Sequence, residues 1–255
     1  MGMKLAISGK GGVGKTTIAA LLARAAAARG YRVLAVDADP DANLAATLGF
    51  PEEGITPLAE LRELIAERAG SEGLIKLNPK VDDIPERYSL YKDGIRLMVL
   101  GAVRRGGGGC ACPENAFLRA LLRHLLLERD ELVIVDMEAG LEPLGRGTVE
   151  AVDALLVVVD PDRRSLQTAR RVRRLAGELG LERLFALGNM VRDPVEEGYL
   201  RAELPEGLPL LGVIPYDEAI RRAGQRGGGL PRDLPLHPQL EAAFAQLERL
   251  SAEVI

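Results

Sequence analysis

Seven short runs of apolar and β-branched residues punctuate the chain, at 4–8, 32–36, 95–100, 132–135, 155–159, 184–187 and 210–214. Each is nearly continuous in hydrophobicity instead of alternating, the mark of a strand covered on both faces. Between them lie segments of helical period: the Ala-rich stretch after Lys15, the Leu-rich stretch 114–128, and 165–179. This repetition predicts an α/β fold, a mostly parallel sheet of about seven strands flanked by helices on both faces. No internal repeat or long linker interrupts it, so residues 1–255 are expected to form a single domain.

Two stretches break the rhythm. Residues 51–91 exceed the length of one crossover helix and include the polar run Asn78-Pro79-Lys80-Val81-Asp82-Asp83, which predicts an inserted helix plus a loop over one sheet edge. Residues 104–113 form the Gly-rich run Arg104-Arg105-Gly106-Gly107-Gly108-Gly109-Cys110-Ala111-Cys112-Pro113, placed after a strand's C-terminal end, where open α/β sheets carry their functional loops. The last helix is expected over 238–252, with Leu240, Ala243, Phe244, Leu247 and Leu250 at helical spacing and no basic face, so it reads as a core helix rather than a membrane-docking one.

Composition narrows the class further. With 47% hydrophobic and 27% charged residues the chain is an ordinary globular protein. Thirty-three Lys and Arg against 37 Asp and Glu leave a net charge of -4, without the global basic field that would wrap nucleic acid or coat anionic lipid. The opening residues run straight into a strand without a signal-peptide pattern, and no 18-residue uncharged apolar run occurs. A cytoplasmic location with neither membrane nor nucleic-acid partner is expected.

Gly9-Lys10-Gly11-Gly12-Val13-Gly14-Lys15-Thr16 fits the phosphate-loop pattern of Gly, four residues, then Gly-Lys-Thr, with a strand before it and a helix after it. Its glycines let successive N–H groups face phosphate oxygens, Lys15 can reach the β and γ phosphates, and the Thr16 hydroxyl can ligate magnesium. With Thr17, residues 9–17 are the expected nucleotide contacts. Asp37-Ala38-Asp39-Pro40-Asp41 follows the second strand, so its carboxylates emerge at the same sheet end. One can hold a magnesium-bound water while another orients the water that attacks the γ phosphate; Asp41 serves equally well as a solvated turn residue. Asp136, ending an apolar strand, fits the second-sphere magnesium aspartate.

The additional Lys10 makes the loop similar to the deviant phosphate loop of the MinD/ParA group of ATPases. That resemblance implies that Lys10 crosses a dimer interface to touch the partner's nucleotide and that Asp39 serves the attacking water, so Lys10, Lys15 and Asp39 become the expected catalytic residues. It also places Asn189 against the base. Met190 stands where a lysine usually follows, and no aspartate lies three residues beyond Asn189, so the guanine-reading pattern is absent and ATP is favoured. Ile214-Pro215-Tyr216-Asp217 either closes the base pocket or makes a proline turn.

The two cysteines, Cys110 and Cys112, are too close for an unstrained disulfide, and in an extended segment they aim both sulfurs to one side. Two thiolates fill half of a tetrahedral soft-metal site, which a twofold dimer would complete; the alternative is a pair of small, redox-inert thiols side by side. His124 and His237 read as solvated or core groups. Together with Leu77-Asn78-Pro79-Lys80-Val81-Asp82, Asp136-Met137-Glu138-Ala139-Gly140 and Arg146-Gly147-Thr148, these motifs resemble the CooC-type accessory ATPases. The resemblance implies a homodimeric, ATP- and magnesium-dependent metallochaperone that assists nickel insertion into carbon monoxide dehydrogenase. The alternatives are a related maturation factor for acetyl-CoA synthase and a partitioning or septum-positioning ATPase.

Overall fold

The computed structural model describes residues 2–51, 53–71, 74–76, 78–101, 113–127, 131–141, 152–225, 229–231, 234 and 236–252. All seven predicted strands are present: β1 (Lys4–Gly9), β2 (Val33–Ala38), β6 (Ile95–Val99), β7 (Leu132–Met137), β8 (Ala154–Val159), β9 (Leu184–Val191) and β10 (Leu210–Pro215). They pair in parallel in the order β10-β9-β8-β1-β7-β2-β6. An eighth, β5 (Leu90–Lys92), closes the β6 edge antiparallel.

Two apolar layers sandwich this sheet, because successive residues of a strand alternate between faces and both faces are covered. Val133, Val135, Leu155 and Val157 pack with α3 (Arg62–Ala69), α5 (Pro113–Leu127) and α6 (Arg163–Glu178), through side chains such as Ile65, Phe117, Leu121 and Leu166. Leu5, Ile7, Ile134 and Leu156 face the other way, against α1 (Lys15–Ala28) and α9 (Pro238–Ala252), through Ile18, Leu22, Phe244 and Leu247. The expected core role of the last helix is what its buried Leu240, Ala243, Phe244 and Leu247 perform.

The stretch expected to hold one helix and a loop is more structured than that. After the short α2 (Leu44–Leu48) it contains a 3-10 turn (Leu58–Glu60), α3, the two-residue pair β3 (Gly70–Ser71) and β4 (Leu74–Ile75), and α4 (Ile84–Tyr88) before β5. Bidentate bonds from Arg68 to Asp83, both 2.8 Å, tie α3 to the start of α4. The remaining helices, α7 (Pro194–Glu203) and α8 (Glu218–Gln225), follow β9 and β10. Asp193 starts α7 by accepting from the Val195 and Glu196 amides, 2.9 Å each.

Candidate nucleotide site

β1 delivers the chain to the centre of the sheet's C-terminal edge, and α1 leads away from it, so residues 9–15 bridge a strand end and a helix start. Gly14 caps α1 with a left-handed φ of 91°, and a Cβ there would stand 2.4 Å from Asn189 Nδ2. Both constraints demand glycine. No side chain caps α1, and no acidic residue lies in its first turn, which leaves amides and the positive helix end for an anion. Lys15 is 6% exposed, and its ammonium donates to the Lys10 carbonyl at 3.3 Å.

Parallel pairing sets the two aspartates side by side, since Asp37 is in register with Asp136 and Asp136 with Ile7 of β1. Asp37 is fully buried; its Oδ1 accepts from the Asp39 amide at 3.2 Å and its Oδ2 from the Leu44 amide at 2.8 Å. Burial pushes its carboxyl up to about 6, against those two amides. Asp136 is also buried, and neither of its carboxylate oxygens meets a donor at full hydrogen-bond geometry, although the Thr16 hydroxyl is close enough to favour its charged form. Burial pushes it up to about 7, with Thr16 and Lys15 pulling down and Asp37 pushing up.

A buried carboxylate with two unsatisfied oxygens is costly by itself and is suited to the hydration shell of a cation. Thr16, Asp136 and Asp37 are therefore the residues that would hold a magnesium ion brought in with nucleotide, which would supply charge neutralisation at the phosphates. Asp39 is half-buried and accepts from the Asp41 amide at 3.0 Å, whereas Asp41 is exposed and shapes the turn.

The Lys10 side chain is engaged by two carboxylates that follow β8. Its ammonium lies 3.4 Å from Asp162 Oδ1 and 3.8 Å from Asp160 Oδ2, with its side chain 30% exposed. Asp162 also starts α6 by accepting from the Arg164 amide at 2.7 Å, while Asp160 Oδ1 is buried without a partner. Sequence reasoning missed both aspartates. The Asp160-Pro161-Asp162 run before a helical stretch was a visible signal, but only the pairing of β8 with β1 brings it to Lys10.

Asn189, expected against the base, donates from Nδ2 to the Val13 carbonyl at 2.9 Å, clamping the loop from β9. Met190, at φ 58°, sits next to Gly14. The Tyr216 amide donates to the Val191 carbonyl at 2.9 Å, and the Arg192 guanidinium lies 5.0 Å from the Tyr216 ring centre, so the ends of β9 and β10 meet here. Cys110, Cys112, Leu77 and Arg146-Gly147-Thr148 lie outside the described residues. Among the described residues no three His, Cys, Asp or Glu side chains gather as a metal-ligand cluster, and no helix is long and apolar enough to cross a membrane. His237 Nδ1 accepts from the Gln239 amide at 3.3 Å and so serves the start of α9.

Residues 4–230 match the family model of the CobQ/CobB/MinD/ParA nucleotide binding domain. The chain is 47% identical to the carbon monoxide dehydrogenase accessory protein CooC of Rhodospirillum rubrum over 232 residues, 88% of each chain. It is 42% identical to an uncharacterized ATP-binding protein of Methanocaldococcus jannaschii over 256 residues, 97% of this chain and 98% of the other. The septum site-determining protein MinD of Pyrococcus horikoshii, solved with Mg-ADP, shares the fold with a TM-score of 0.66 at 24% identity, covering 100% of this chain and 96% of that one.

Proposed function

Because the chain belongs to the CobQ/CobB/MinD/ParA nucleotide-binding family and is a CooC-type ATPase, we propose that it serves carbon monoxide dehydrogenase as an accessory protein, using ATP to close and open a homodimer that carries nickel. The observation that supports this reading is that the Lys10 ammonium, part-exposed, is held 3.4 Å from Asp162 in a water-accessible ion pair, so that it is available to a facing copy.

In the hydrolytic step Lys15 and the amides at the start of α1 offset the negative charge on the β and γ phosphates. Asp39, in the segment organised by Asp37, accepts a hydrogen bond from the attacking water. The water oxygen bonds to the γ phosphorus as the bond to the bridging oxygen breaks; ADP departs with that electron pair, and the water's proton leaves with phosphate. Magnesium, when bound, supplies charge neutralisation at the phosphate oxygens.

Closure of two copies about a twofold axis would set two Cys110 and Cys112 pairs opposite each other, four thiolates for one nickel, with zinc able to substitute in vitro. Linkage then requires that metal favour the closed dimer and that hydrolysis loosen it. Gel filtration with nickel under ATP or ADP, on the parent and on Cys110→Ser/Cys112→Ser, tests this. ATP together with nickel should give a metal-loaded dimer only in the parent, and a parent that stays monomeric and metal-free would refute it.

A further inference from the structure

Ser8 is a buried hydroxyl with no place in phosphate binding, one residue before the loop. Its Oγ donates to the Gly140 carbonyl at 2.8 Å and accepts from the Gly140 amide at 3.3 Å. A hydroxyl can do both at once, so one side chain satisfies both backbone groups of a single residue 132 positions away. The topology explains the meeting. β1 and β7 run in parallel with Ile7 opposite Asp136, and the chain leaving Met137 turns back over the end of β1. Gly140 is then held by Ser8, while its neighbour Leu141 is buried in the core layer under α5 and α6.

Asp136, the magnesium-facing carboxylate, lies four residues upstream of this anchor. The two segments that must respond to the γ phosphate, the loop beginning at Gly9 and the chain after Asp136, are therefore joined through one hydroxyl. We propose that Ser8 is a positioning residue for ATP hydrolysis: it holds residues 136–141 in register with the phosphate loop, so that nucleotide binding to the loop is transmitted to the segment carrying Asp136. This concerns the hydrolytic cycle alone and holds whatever cargo the dimer carries. Ser8 never touches nucleotide; it acts through the Gly140 backbone.

The test uses the full chain with Ser8→Ala and Ser8→Thr. Alanine leaves the Gly140 amide and carbonyl without their partner, whereas threonine restores the hydroxyl. Ser8→Ala should lower kcat about tenfold, the loss of roughly one buried hydrogen-bond pairing in the reactive state, with KM for ATP within about twofold of the parent. Ser8→Thr should recover most of that loss. Hydrogen exchange at Gly140 and Leu141, compared with and without a non-hydrolysable ATP analogue, should show nucleotide-dependent protection in the parent and in Ser8→Thr that Ser8→Ala lacks. Parent-like kcat in Ser8→Ala would overturn the proposal. So would a decrease in both variants that follows only the fraction of folded protein in thermal melts, with nucleotide-dependent protection intact.

Discussion

The Lys10 ammonium of the phosphate loop and the Asp162 carboxylate that starts α6 lie 3.4 Å apart in the same chain. An ion pair exposed to water on both sides is weak and exchangeable. On the proposed dimeric reading it is a resting place that a facing copy's nucleotide, with several negative charges, would outcompete.

Lys10→Ala should therefore leave ATP affinity of the monomer within a few-fold of the parent while suppressing ATP-dependent dimer formation and lowering turnover by about a thousandfold or more, the size of effect expected for removal of a cation supplied in trans. Equilibrium nucleotide binding together with light scattering separates the two effects. Normal ATP-dependent dimers in this variant would leave Lys10 without the proposed role.

Lys15→Ala removes the loop's own cation and should weaken MgATP binding by about a hundredfold or more. Asp39→Ala should bind MgATP almost as the parent does and lose turnover by a factor of about 100 to 10,000, the range for a missing water-orienting group. Calorimetric titration and a phosphate-release assay measure these in turn. Undiminished phosphate release in Asp39→Ala would reassign its role.

Asp37 and Asp136 make stability fall as pH rises. Burial raises their carboxyls to about 6 and about 7, so in the nucleotide-free protein they hold protons that the unfolded chain has already released. Between roughly pH 4 and pH 7 the folded state binds more protons, and its stability declines over that window. Thermal melts without nucleotide should show Tm dropping from about pH 5 to about pH 7 and levelling above. Asp136→Asn should flatten most of the slope and raise Tm at the upper end, while the gain in Tm from MgATP disappears. A parent whose Tm climbs through this range would contradict the protonated state.

The cysteine pair gives a stoichiometric prediction. Each chain offers two thiols, a closed tetrahedral site takes four, and so nickel should saturate at one per two chains with a doubling of mass. Because thiolate is the binding form, uptake should release protons and weaken as pH falls. Saturation at one metal per chain without growth in mass would replace the shared site with a monomeric one.

Much of this was legible before any coordinates. Strands covered on both faces read as continuous apolar runs, so β1, β7 and β8 were found within about two residues, while β9 was cut short because Gly188 and Asn189 interrupt its hydrophobicity, although Gly188 still pairs with Val159 and Val213 and the ladder resumes at Val191. β5 went unread because Leu90, Tyr91 and Lys92 are too few to show a period. The usable signal was Asp93-Gly94, whose φ values of 50° and 83° make the tight turn from β5 into β6. The loop residues and Asp37 were readable because their chemistry is local in sequence. Asp160, Asp162, Ser8 and Gly140 were not, because each meets its partner only after strands distant in sequence pair.

The sheet order carries a consequence for biosynthesis. β1 leaves the ribosome well before its neighbours in the sheet, β7 and β8, which are made from residues 132–159. Until that later stretch emerges from the exit tunnel, the nascent chain carries a phosphate-binding motif without the strands that hold it in shape, and its apolar first strand has nothing to pair with. A chain shortened to end before β7 should therefore display the phosphate-loop sequence without tight ATP binding, which nucleotide titration of that fragment would check.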